Sequence, residues 1–106
     1  MDVRIISKHI KITKSIREEI EEKVSGFPKF YNSVIDAEVI VEGNEGGVTR
    51  SVEIIVRAKH NHIFVAKKAG QDMYECVDDA VKKIETQIKK QKQKERDNKH
   101  INNTAE

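Results

Sequence analysis

Hydrophobic residues recur along this chain with two periods. Val3-Arg4-Ile5-Ile6-Ser7 is short and β-branched, which predicts a strand. Thr13 or Ser15 then offers a helix N-cap, and Ser15 with Glu18 has capping-box spacing. Ile16, Ile20, Val24 and Phe27 follow at helical spacing, with Glu18, Glu19, Glu21 and Glu22 mainly on the wet side. Gly26 and Pro28 are expected to stop this helix. Period two takes over next. Ile35, Ala37, Val39 and Val41 are expected on one face, and Asp36, Glu38, Ile40 and Glu42 on the other. Gly43-Asn44-Glu45-Gly46-Gly47 reads as a turn. Val52, Ile54, Val56 and Ala58 then alternate with Ser51, Glu53, Ile55 and Arg57. The polar turn Lys59-His60-Asn61 leads into a third run, Ile63-Phe64-Val65-Ala66. Such short connections favour an antiparallel meander.

Gly70 breaks the alternation. Asp72 is a good N-cap, with Glu75 three residues on. Met73, Val77, Ala80, Val81, Ile84 and Ile88 fall within an arc about 100° wide on a helix. Lys82 and Lys89 lie nearly opposite that arc; Lys83, Lys90 and Lys94 form a second column on one flank. The apolar spacing ends near Lys94. The expectation is one domain over residues 1–94 and a polar, flexible tail over 95–106. The predicted class is α+β in the order β-α-β-β-β-α, with both helices on one face of a four-stranded sheet. Glu38, Ile40, Glu53, Ile55 and Arg57 would then occupy the open face.

The chain has 106 residues, a length that suits one domain and leaves no room for a two-lobed enzyme cleft. No apolar run approaches the roughly 18 residues of a spanning helix, so no membrane partner is expected. Met1 to Ile6 contains Asp2 and Arg4 and forms no signal-peptide core. The single cysteine, Cys76, excludes an internal disulfide framework and suits a reducing, cytoplasmic setting. The net charge of +2 conceals an asymmetry. Residues 1–81 carry twelve Lys/Arg against fourteen Asp/Glu, whereas residues 82–106 carry eight against four. A basic end on a neutral domain points to a polyanion, and nucleic acid is the first candidate. A solvated helix face is the plainer reading.

Candidate chemistry elsewhere is sparse. The glycines near residue 45 lie between two strands rather than between strand and helix, so they do not form a phosphate loop. His60 and His62 lack a third nearby His or Cys, so no metal is expected. Cys76 falls near the apolar arc with no activating base, and no carboxylate cluster or activated nucleophile is visible. Neither catalysis nor a cofactor is expected. Two tyrosines, three phenylalanines and no tryptophan argue against base stacking as the main device. Lysine columns remain, and these read phosphate rather than base identity. Folded RNA is commonly recognised this way, by shape and backbone.

Gly70-Gln71-Asp72-Met73-Tyr74, with Asp78, Lys83, Ile84, Gln87, Ile88, Lys90, Lys92 and Lys94 behind it, resembles the ribosome hibernation-promoting factor and ribosome-associated inhibitor A family. Ile12-Thr13, Ile16-Arg17, Lys23 and the pair Phe30-Tyr31 also fit, so the resemblance covers roughly residues 1–95. It implies a fold like a double-stranded-RNA-binding domain with an added first strand. It implies binding in the decoding channel of the small ribosomal subunit, in competition with mRNA and tRNA. Translation would be silenced and idle ribosomes preserved in stationary phase or stress. Arg17, Lys23, Lys83, Lys90 and Lys94 carry over as rRNA contacts; Lys82, Lys89 and Lys92 are added from helix geometry and local charge. Asp72, Met73 and Tyr74 match the family motif, as contacts or as structural residues. Some members are basic where this chain has Gly26 and Thr86. Long members carry a C-terminal dimerisation domain that is not expected within this sequence, so any pairing of ribosomes would need a separate factor or would not occur. The alternatives are a general structured-RNA-binding module or RNA chaperone, and a protein-interaction domain using the exposed sheet edge or the Ile40/Ile55 face.

Overall fold

The computed structural model describes residues 1–44 and 49–105, the side chains of 97–105 excepted. Its elements are β1 (Asp2–Lys8), α1 (Lys14–Val24), α2 (Phe27–Phe30), β2 (Val34–Gly43), β3 (Arg50–Ala58), β4 (His62–Gly70) and α3 (Met73–Ala105). The strands form one sheet in the order β1-β2-β3-β4. β1 lies parallel to β2, and β2, β3 and β4 form the antiparallel meander. This is the α+β arrangement expected, with α1 and α3 over one sheet face.

Helical spacing decides what is buried. Ile16, Ile20 and Val24 of α1 join Met73, Val77, Ala80, Val81, Ile84 and Ile88 of α3 in a single core. Val39, Val41, Val52, Ile54, Val56 and Phe64 meet them from the sheet. Burying each of the Val, Ile, Met and Phe side chains contributes about 1.5–3 kcal/mol, and this burial offsets the ordering entropy of a small domain. Cys76 belongs to the same core, and burial pushes its thiol pKa up.

One local reading changes, and others are sharpened. The β2–β3 register shifts between Val34 and Asp36. The extra residue of this bulge resets the alternation, so Val34 turns inward and Ile35 is 52% exposed, against the expected inward Ile35. Thr13, not Ser15, caps α1, its hydroxyl accepting from the Ile16 amide at 3.1 Å. Helix α1 ends at Val24, before Gly26 and Pro28, and Pro28 sits in the first turn of α2. The backbone of α3 is helical from Met73 through Ala105. Residues 45–47 of the glycine-rich turn lie outside the described residues.

Gly43 ends β2 against the segment leaving β1. A Cβ there would meet the His9 carbonyl and the Ile10 side chain at 3.1 Å, so the close passage suits glycine. His60 and Asn61 adopt φ of 64° and 62° in the β3–β4 turn. No helix among the described residues is long and apolar enough to cross a membrane.

Candidate nucleic-acid interface

Helix α3 carries most of the proposed contacts, and its start is fixed by Asp72. The Asp72 Oδ1 accepts from the amides of Tyr74 at 3.0 Å and Glu75 at 3.4 Å. Met73 is buried in the core. Tyr74 is 45% exposed, and its hydroxyl shares a 2.7 Å hydrogen bond with Ser15 Oγ, tying α3 to α1. Cap, core residue and inter-helix tie are thus the structural duties of the Asp-Met-Tyr motif.

The buried arc of α3 splits its lysines onto two flanks. One flank faces β4. There Lys83 Nζ donates to the Lys67 carbonyl at 3.2 Å and Gln87 Nε2 to the Val65 carbonyl at 2.7 Å. Lys68 pairs with Asp79 at 3.7 Å on the same side. Lys90 and Lys94 continue this column, exposed and without an ion pair among the described residues.

The other flank faces α1 and α2. Lys23 of α1 reaches Asp78 across the helix interface and Glu19 at 3.5 Å. The Asp78 hydrogen bond raises the Lys23 pKa, and Lys23 holds Asp78 below the usual carboxylate range. Lys23 is therefore partly neutralised. Lys89 and Lys92 place their ammonium groups 5.8 and 5.1 Å from the Phe30 ring centre. Lys92 also donates to the Phe30 carbonyl at 2.9 Å, which ends α2. Lys82 and Arg17 are exposed and form no ion pair among the described residues.

The eight basic positions named from sequence thus divide by environment. Arg17, Lys82, Lys90 and Lys94 are exposed and form no ion pair among the described residues, although Lys82 lies close enough to Asp78 to help lower its pKa. Lys83 and Lys89 are tethered but exposed, whereas Lys23 and Lys92 are engaged within the fold. The sequence reasoning did not single out Lys29 and Arg96, which line the same cavity as Phe30. The Phe30-Tyr31 pair was the available signal for that corner.

His62 has an internal role. Gln91 Nε2 lies 3.2 Å from its Nε2 and 3.4 Å from Glu95 Oε1, so the imidazole nitrogen accepts from the amide. Tyr31 donates to Glu95 Oε1 at 2.8 Å, and burial first, then Glu95, raises its pKa. No group of three or more His, Cys, Asp or Glu among the described residues is placed to hold a metal ion.

Residues 3–96 match the family model described as sigma 54 modulation protein / S30EA ribosomal protein. The chain belongs to this family. Among its relatives, a ribosome hibernation promoting factor of Pseudomonas putida is 25% identical over 95 residues, covering 90% of each chain. The ribosome-associated factor Y of Haemophilus influenzae is 28% identical over 90 residues, covering 85% of this chain and 81% of its own. The fold matches a solved ribosomal subunit interface protein from Coxiella burnetii with a TM-score of 0.77 and 24% identity. That match covers 87% of this chain and 98% of the other. For this S30EA family member, the resemblance noted in sequence and the α+β fold therefore agree.

Proposed function

We propose that this protein is a ribosome hibernation factor. It binds rRNA in the decoding channel of the small subunit, excludes mRNA and tRNA, and silences translation while idle ribosomes are kept intact under stress or in stationary phase. The cytoplasm is its place of action. The observation that carries this reading is the exposed cationic column of α3. Lys90 and Lys94 extend from the Lys83 anchor on a helix held rigidly by its core face. Exposed ammonium groups on a fixed helix suit phosphates along a groove of structured RNA, and Arg17 and Lys82 add charge beside them. The relatives' names, which describe ribosome-associated factors, support the choice of RNA.

The test is co-sedimentation with purified ribosomes on sucrose gradients. Co-migration with small subunits and intact ribosomes, lost as salt rises and competed by tRNA, is the expected result. Protein remaining at the top of the gradient at low salt overturns the proposal. Equal affinity for arbitrary RNA duplexes replaces it with a general RNA-binding module.

A further inference from the structure

A notch of about 410 Å3 opens where α2 meets α3, lined by Lys29, Phe30, Asn32, Lys92, Glu95 and Arg96 among others. Its volume falls in the range of small-ligand sites. Three of the six are cations, and the single carboxylate is already engaged. Glu95 accepts from the Tyr31 hydroxyl at 2.8 Å and from the Gln91 amide at 3.4 Å. Glu95 keeps its charge in these neutral hydrogen bonds, and three cations against one carboxylate leave the notch net positive, which suits an anion. The Phe30 ring forms part of its wall, partly buried against the hydrophobic core, and Lys92 Nζ meets the Phe30 carbonyl at 2.9 Å. The same ammonium group lies 5.1 Å from the ring centre, with Lys89 at 5.8 Å.

Cations packed on an aromatic face are held by its quadrupole, and a phosphate competes for them more strongly than a ring does. A phosphate entering the notch draws ammonium charge away from Phe30. It thereby frees ring surface for a planar base, whose stacking is tolerant of base identity. A duplex keeps its bases in the stack and brings only phosphate to this corner. An unpaired nucleotide brings both groups.

We infer that the notch between α2 and α3 takes one unpaired nucleotide of single-stranded RNA, its phosphate among Lys29, Lys92 and Arg96 and its base against Phe30. The inference rests on the RNA-binding reading of α3 and adds to it a point where strand state is sensed.

The test is titration of the isotopically labelled full chain with three probes, a short oligouridylate, a blunt RNA duplex and tripolyphosphate, followed by amide chemical shifts. Saturable shifts at Lys29, Phe30, Asn32 and Arg96 are expected with oligouridylate and not with the duplex. Phe30→Leu, which keeps an apolar residue at the site, should weaken oligouridylate binding at least about tenfold. Arg96→Gln, at an exposed position, should weaken it several-fold. Equal shifts with tripolyphosphate, equal shifts with the duplex, or unchanged affinity in Phe30→Leu would each overturn the inference. Ribosome co-sedimentation of the wild-type chain is run alongside. Intact co-sedimentation without oligouridylate binding removes the notch alone, whereas loss of ribosome binding by the wild type removes the reading beneath it.

Discussion

Asp72 shows how one carboxylate sets the position of a long helix. Its Oδ1 satisfies two amides that no helical carbonyl reaches. Asp72→Ala should cost about 1 kcal/mol, read as a lower urea midpoint with an unchanged slope. Two other carboxylates link the fold to pH. Arg57 holds Asp36, and Lys23 holds Asp78, below the usual carboxylate range through hydrogen bonds. A group with a depressed folded pKa stabilises the fold above its unfolded value, near pH 4, and loses that contribution as pH falls through the folded value. Stability should therefore decline as pH drops below about 4, and the Asp36→Asn/Asp78→Asn double variant should flatten that decline in urea titrations. Both pairs are solvent-accessible, so the effect is modest.

At the scale of elements, the strongest periodicities proved the most legible. The arc from Met73 to Ile88 is the buried face of α3, and the run from Val52 to Ala58 alternates as read. Ile84→Ala should cost about 2–5 kcal/mol in chemical denaturation, because its site in the core cannot collapse freely, whereas Lys82→Ala should stay within about 0.5 kcal/mol. What escaped the sequence was set by partners distant along the chain. The bulge at Ile35 depends on pairing with β3, and residue spacing within one strand carries no record of it. Thr13 and Ser15 were equivalent caps by spacing alone. The structure assigns them separate tasks because Tyr74, 59 residues away, claims the Ser15 hydroxyl. Pro28 was rightly read as incompatible with continuing α1, but its tolerance at a helix start permits α2.

Across the whole molecule, charge is laid out by the same rule that laid out the core. Positions opposite and beside an apolar arc must face water, so the lysine columns could be placed from the sequence. Their internal engagements could not, since Lys23–Asp78, Lys83–Lys67 and Lys92–Phe30 all join separate elements. That division bears on ribosome binding. Lys83→Glu/Lys90→Glu should abolish co-sedimentation while leaving the far-ultraviolet circular dichroism spectrum and a cooperative melt in place. Lys90→Ala or Lys94→Ala should each reduce the log–log salt slope of binding by up to about 0.9 if each lysine meets one phosphate. Lys92→Met should lower thermal stability and change that slope less, because its ammonium group holds the end of α2.

The bonds from Lys83 and Gln87 to β4 have a consequence for crowding. β4 is the last strand of the sheet, and Ile63 and Val65, 60% and 46% exposed, lie on its open face. Bare carbonyls along such a strand would form a template for a second chain, the route by which sheets grow into fibrils. Two side chains from α3 occupy the carbonyls of Val65 and Lys67, and one of them ends in a charge that repels a neighbouring copy. The helix proposed to read RNA should therefore also keep concentrated protein dispersed. Lys83→Ala/Gln87→Ala should reveal that second duty as light scattering and thioflavin fluorescence that rise with protein concentration.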